Sequence, residues 1–246
     1  MGSARSKYGT SSYRRAYAFA APIYDLLHIL AFALHGGRRK VWTKAIRSVP
    51  YGEGETILDA CCGTGYLAKL LLDRVKPDAQ IVGIDLSPSQ IRVAEKRVGA
   101  SNVRFLTGDV RDIPFEDDHF EKSFISFALH EMPADVRRAV LLDVVRVTKR
   151  DGAIVILEGN RPSRRSDRFL MYVTFFQWWP WCVDHPHSQE VWRTDYVSEL
   201  TNCGMTIVTR EEFARGFFQL IVARPAVPSG APKGGPTTCA GRSSSS

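Results

Sequence analysis

No Cys-x-x-Cys pair occurs in the 246 residues, and the five cysteines (61, 62, 182, 203 and 239) are odd in number with two adjacent. That spacing excludes a disulfide framework and a zinc ribbon, and a chain of this length needs no covalent staples. A reducing, cytoplasmic setting fits best. The nearest approach to a ligand cluster, Cys182 with His185 and His187, lies among prolines and tryptophans and reads as a loop, so no metal is expected. Long unbroken apolar runs are also missing. The stretch AYAFAAPIYDLLHILAFAL is interrupted by Pro22, Asp25 and His28, which argues against a membrane span, and no small-residue cleavage site marks it as a secretory signal. A helical extension that packs on the domain or lies on a membrane surface is expected there. There is no internal repeat. No nucleic-acid recognition module accompanies the formal net charge of +7, so nucleic acid is not an expected partner.

What is present is alternation. Short apolar or β-branched runs, TILDAC (56–61), QIVGID (80–85), NVRFLT (102–107), KSFISFA (122–128) and AIVILE (153–158), predict five strands. Between them, 66–75, 88–98 and 134–149 predict helices, the second started by Ser87-Pro88, the third by Pro133 and ended by Asp151-Gly152. Strands alternating with helices imply right-handed crossovers and a doubly wound, mostly parallel sheet of α/β class. After a lapse of about thirty residues come a helix over 189–203 and two strand-like runs, MTIVTREEF and GFFQLIVARP, that read as an antiparallel hairpin around Ala214-Arg215-Gly216. The expected layout is a helical N-terminal extension over 1–50, one domain over 51–224 with an insertion at about 159–188, and a Pro/Gly/Ser-rich disordered tail over 225–246.

The first strand runs into DACCGTGYLA, at the place where open α/β sheets bind ligands. Gly63 and Gly65 let backbone approach a ligand, and Asp85, twenty residues beyond Gly65, ends the second strand where a carboxylate can take both hydroxyls of a ribose. With Ala68 the run also satisfies G-x-G-x-x-G/A, the dinucleotide fingerprint, so a nicotinamide-dependent oxidoreductase is a rival reading. Asp59 opposes it, because a carboxylate facing the turn repels a pyrophosphate and suits a ligand with an ammonium group. Charge complementarity favours S-adenosylmethionine, which carries ammonium, sulfonium and ribose but no phosphate. The same carboxylate works against a thiolate, so Cys61 and Cys62 read as packing residues rather than reactive ones.

The ordered runs LDACCGTGYLA, VGIDLSPSQIRVAEKR and LTGDVRDIPFEDDHFEKSFISFALHEMP resemble the class I S-adenosylmethionine-dependent methyltransferases. The likeness is strongest to the branch that C-methylates quinone rings in ubiquinone and menaquinone biosynthesis. It covers roughly residues 16–160, and YDLLHILAFALHGGRRKVW is similar to that branch's cofactor-capping segment. The resemblance implies a seven-stranded Rossmann-like fold and a role for each matched residue. Asp59, Gly63 and Gly65 would line the methionine end, and Asp85 with Leu86 would hold the ribose. Asp109 and Val110 would contact the adenine, and Phe127, Ala128 and Leu129 would wall the transferable methyl. Cys61 stands where the family's first motif glycine usually lies.

Methyl transfer asks the protein to align a nucleophile and exclude water. A phenolic or enolic carbon also needs a base or an anion stabiliser. His130, with a side chain whose ordinary pKa suits neutral pH, and Glu131 follow the fourth strand, and Tyr24 with Asp25 could close over the methyl donor. His130, Glu131 and Tyr24 are the catalytic candidates, and Tyr24 also a cofactor contact. Four arginines (161, 164, 165, 168) precede an aromatic-rich run through Trp181, which suits a lid over an apolar substrate, a core helix or a peripheral membrane contact. The sequence therefore predicts a methyltransferase for a small apolar, quinone-like or lipid-linked acceptor. A fold-mate that binds cofactor or membrane without turnover is the non-enzyme rival.

Overall fold

A computed structural model describes residues 32–33, 36–171 and 194–226 of the chain. Tyr24, Asp25, the Cys182/His185/His187 group, most of the aromatic insertion and the tail lie outside the described residues. Helix α1 (Arg38–Ile46) precedes β1 (Thr56–Ala60), α2 (Tyr66–Leu71), β2 (Gln80–Asp85), α3 (Pro88–Val98) and β3 (Val103–Thr107). Then follow β4 (Phe120–Ser126), a 3₁₀ turn (Leu129–Glu131), α4 (Ala134–Val147), β5 (Thr148–Gly159) and α5 (Arg165–Met171). Helix α6 (Tyr196–Asn202) leads to the hairpin β6 (Met205–Phe213) and β7 (Phe218–Pro225). The seven strands lie in the order β3-β2-β1-β4-β5-β7-β6. All pairings from β3 to β5 are parallel, and β7 runs antiparallel to both of its neighbours.

Period-two alternation divides the core between the two faces of the sheet. Leu58, Val82, Ile125 and Ile154 face α4 and its Val140, Leu141 and Val144. Ile57, Ile81, Phe124 and Val155 face the other way, against Trp42 and Ile46 of α1 and Leu67 and Leu71 of α2. Order reverses between β1 and β4, so a crevice opens beyond their carboxyl ends, where doubly wound sheets bind ligands.

Three expected boundaries move. The helix expected over 189–203 starts at Tyr196, where Asp195 caps it by accepting from the Ser198 amide. Helix α4 ends at Val147, and Asp151-Gly152 lies inside β5 rather than closing the helix. Thr148 switches the chain at that point, donating from Oγ1 to the Val144 carbonyl at 2.6 Å while its hydroxyl meets that of Ser123 at 2.7 Å. Gly152 then allows an irregularity between the Phe120 and Lys122 pairings, since a Cβ there would sit 2.7 Å from the Glu121 carbonyl oxygen. Helix α2 stops at Leu71, short of the predicted 75. The hairpin forms as expected, with Ala214, Arg215 and Gly216 all at positive φ in its tip. Among the described residues, no helix is long and apolar enough to cross a membrane.

Candidate cofactor and active site

The crevice is built on the turn after β1. Cys61 (φ 60°), Gly63 (φ 52°) and Gly65 (φ 69°) are left-handed, which folds the chain sharply into α2. Space beside Gly63 is open, whereas a Cβ on Gly65 would strike Ala94 and Phe105 at 2.8 and 2.9 Å. The first glycine thus leaves room for a ligand and the second lets the turn seat against α3 and β3. Asp85 braces this turn: its carboxylate accepts from the amides of Gly63 and Ser87, each at 2.9 Å. Two satisfied bonds leave lone pairs for further donors such as ribose hydroxyls. Leu86 is half-buried beside it.

Asp59 is fully buried at the end of β1, and neither carboxyl oxygen receives a well-formed hydrogen bond. Burial, reinforced by the charge of Asp85 and opposed by the Ala68 amide, pushes it up to about 8. Burial also lifts Asp85, to about 6, against the pull of the Ser87 and Gly63 amides. The Cys61 thiol is driven well up by burial and then by four carboxylates, Asp85, Asp59, Glu131 and Asp109. Cys62 rises for the same first reason, so both sulfurs stay protonated packing groups. Asp109 has Arg111 beside it and Glu131 has His130, whereas Asp59 and Asp85 pair with no cation among the described residues. An ammonium and a sulfonium supply what Asp59 lacks; a pyrophosphate would add like charge.

After β3, Asp109 is engaged by the Arg111 guanidinium at 2.5–3.0 Å. Those bonds outweigh burial and hold its carboxyl below the usual range. Val110 is buried beside it and packs in the core.

At the carboxyl end of β5, Glu158 is the residue that sequence reasoning missed. It is fully buried at the end of β5, where Oε1 accepts from the amides of Ala128 and Leu129, both at 2.8 Å. Its Oε2 lies 2.9 Å from Nδ1 of His130. Burial alone would lower His130, but the Glu158 charge and hydrogen bond win and raise it to about 9. His130 is therefore an imidazolium at neutral pH, not the neutral-range base its residue type suggests. Its Nε2 points away from Glu158 and lies 3.8 Å from Glu131, the acid that also acts on Asp85 and Cys61. The structure thus brings His130 and Glu131 to the glycine turn.

Phe127, left-handed at φ 51°, joins the sheet face of Ile57 and Phe124 to α1. Its ring meets Phe32, Trp42 and Phe218 at 5.1, 4.8 and 5.5 Å between centroids. Arg38 stacks on Tyr66, the first residue of α2, at 3.7 Å. Helix α1 is consequently fastened to the glycine turn by rings and a cation, which is how an N-terminal segment can cap the crevice.

A methyltransferase-domain family model matches residues 57–152, the segment that carries every described site residue up to α4. The chain is 34% identical over 143 residues to demethylmenaquinone methyltransferase of Staphylococcus carnosus, with 57% of each protein covered. It is 31% identical to 2-phytyl-1,4-naphtoquinone methyltransferase of Trichormus variabilis, over 69% of this chain and 72% of that enzyme. The fold superposes on the DhpI–S-adenosylhomocysteine complex with TM-score 0.63 at 18% identity, covering 88% and 97% of the two chains. Sequence, sheet order and an acid-lined glycine turn agree, and the chain belongs to the S-adenosylmethionine-dependent methyltransferases.

Proposed function

We propose that the acceptor is a small apolar ring bearing an ionisable oxygen, a hydroquinone-like phenol, and that methylation falls on a ring carbon beside that oxygen. The observation that carries this reading is the Glu158–His130 pair, which puts an imidazolium beside the cofactor turn. Quinone names among the relatives support the same substrate class.

Asp59 would hold the ammonium of the cofactor and Asp85 its ribose, with Asp109 and Val110 at the adenine. The bound cofactor supplies an electrophilic methyl on sulfur. Everything else falls to the chain. Glu158 fixes the imidazole through Nδ1–H, which leaves Nε2–H, 3.8 Å from Glu131, as the second donor. A donor and a positive charge at that place favour the phenolate over the phenol, which raises electron density on the adjacent ring carbon. Buried Phe127, Ala128 and Leu129 exclude water along that wall, and positioning lowers the barrier further. Glu131, 3.8 Å from Nε2, is placed to receive the proton that the ring carbon later gives up.

Incubation of the full chain with S-adenosylmethionine and reduced 2-phytyl-1,4-naphthoquinone tests this. Mass spectrometry should show a product heavier by one methylene, with the new methyl on carbon. Methylation of an amine in a host extract, with every reduced naphthoquinone left untouched, overturns the acceptor class.

A further inference from the structure

We propose that the face made by the β6–β7 hairpin tip, the outer side of α1 and helix α5 docks the protein on an anionic lipid bilayer. Between α1 and the hairpin runs a groove of about 880 Å³, rimmed by Arg39, Lys40, Lys44 and Arg47 and floored by Val41, Phe213 and Leu220. Glu211 pairs with Lys44 at 2.7 Å and Asp73 with Arg39 at 3.4 Å. Lys40 and Arg47 face no acid partner among the described residues. Across the tip, Pro162 lies against Gly216, and Asp167 of α5 holds Arg215 at 2.5 Å, which joins α5 to the hairpin. Exposed Arg164 and Arg165 border α5, and Phe169 leaves 70% of its surface in water.

Position makes this more than a basic surface. Phe218 pairs with Gly159 and Phe213 with Phe218, so the hairpin tip stands at the carboxyl end of the sheet, the end that holds the active-site crevice. A phosphate headgroup fits the cations of the groove, and its first methylenes fit the apolar floor. An exposed phenylalanine beside arginines is what a protein presents to the headgroup boundary. A nucleic acid would use the charges but leave the apolar floor and Phe169 without purpose. Docked this way, the crevice mouth borders the layer in which an apolar acceptor dissolves. The proposal stands on charge and exposure and does not need the acceptor's identity.

Co-sedimentation of the full chain with vesicles tests it, with neither cofactor nor acceptor added. Binding is expected to vesicles of phosphatidylcholine with about 30% phosphatidylglycerol and to weaken in about 0.5 M salt, with little binding to phosphatidylcholine alone. The paired changes Lys40→Glu with Arg47→Glu, and separately Arg164→Glu with Arg165→Glu, should each lower the partition coefficient by about tenfold or more. Phe169→Ser should weaken it by about threefold to tenfold. Unaltered thermal melting and unaltered affinity for S-adenosylhomocysteine in these surface variants keep a folding defect apart from lost docking. Absence of binding at low salt, variants that bind like the parent, competition by millimolar glycerol phosphate alone, or tighter binding to an RNA oligonucleotide than to the vesicles each overturns the proposal. None of those outcomes touches the methyl-transfer reading, because the assay contains no reaction.

Discussion

At His130 two forces act on one proton. Burial favours the neutral ring, and Glu158 favours the imidazolium and prevails, to about 9. An unreactive phenolate analogue that stays ionised throughout should therefore bind most tightly below that value. Its affinity should fall as pH rises through about 9, when the imidazolium gives up its charge. Glu158→Gln removes the charge while keeping an amide in place, and the fall should move about one to two pH units lower, toward the ordinary histidine range. The same variant should cost about 10- to 100-fold in kcat with KM little changed, since Glu158 acts through His130 rather than on the substrate. Binding that stays level from pH 7 to 10, or an identical profile in the variant, counts against the imidazolium role. Residue type alone does not foretell this value. Glu158 closes AIVILE, which reads as a buried strand, and 28 residues separate it from His130. Only the β4–β5 pairing, with the Phe127 amide donating to the Leu157 carbonyl at 2.8 Å, sets them side by side. An acid ending an apolar strand was the one available signal.

Between residue and fold, the elements around the crevice owe their positions to a few ring contacts. Trp42 is 3% exposed and touches Phe32, Tyr66 and Phe127 at 4.9, 5.7 and 4.8 Å between centroids. Trp42→Ala should cost about 3–5 kcal/mol in urea unfolding, through lost burial and the cavity left behind. It should also weaken S-adenosylhomocysteine binding, because Tyr66 begins α2 directly after the glycine turn. Leu142→Ala, at a position 44% exposed on α4, should stay within about 0.5 kcal/mol of the parent and leave binding alone. Equal effects of the two would mean that α1 does not support the site. Elements of this kind were readable where local chemistry fixes them: Ser87-Pro88 opens α3, and QIVGID is β2 to the residue. The start of β5 was hidden because Thr148, Lys149 and Arg150 carry no strand pattern. Their conformation comes from the local Thr148 bond to Val144 and the tertiary one to Ser123.

Over the whole molecule, charge is segregated. The chain carries +7, yet Asp59, Asp85, Asp109 and Glu131 gather around one turn while cations line the hairpin face. A cationic cofactor should therefore be welcomed in a pH-dependent way whose sign is fixed. In the cofactor-free fold Asp59 and Asp85 sit near 8 and 6, above the roughly 3.9 of an unfolded aspartate. The native state then holds protons that the unfolded chain has lost, so stability should decline as pH rises from about 4 toward 8. Binding of an ammonium and a sulfonium favours the ionised carboxylates and should expel those protons. Affinity for S-adenosylmethionine should accordingly rise between pH 6 and 8, by up to about tenfold per pH unit for each proton released. Titration calorimetry in two buffers of different ionisation enthalpy reads both the affinity and the proton count. A nicotinamide dinucleotide should bind weakly and lose affinity over the same interval, as each new negative charge meets its pyrophosphate. An affinity for S-adenosylmethionine that is level with pH and releases no proton would mean that Asp59 does not meet the cofactor's positive charge.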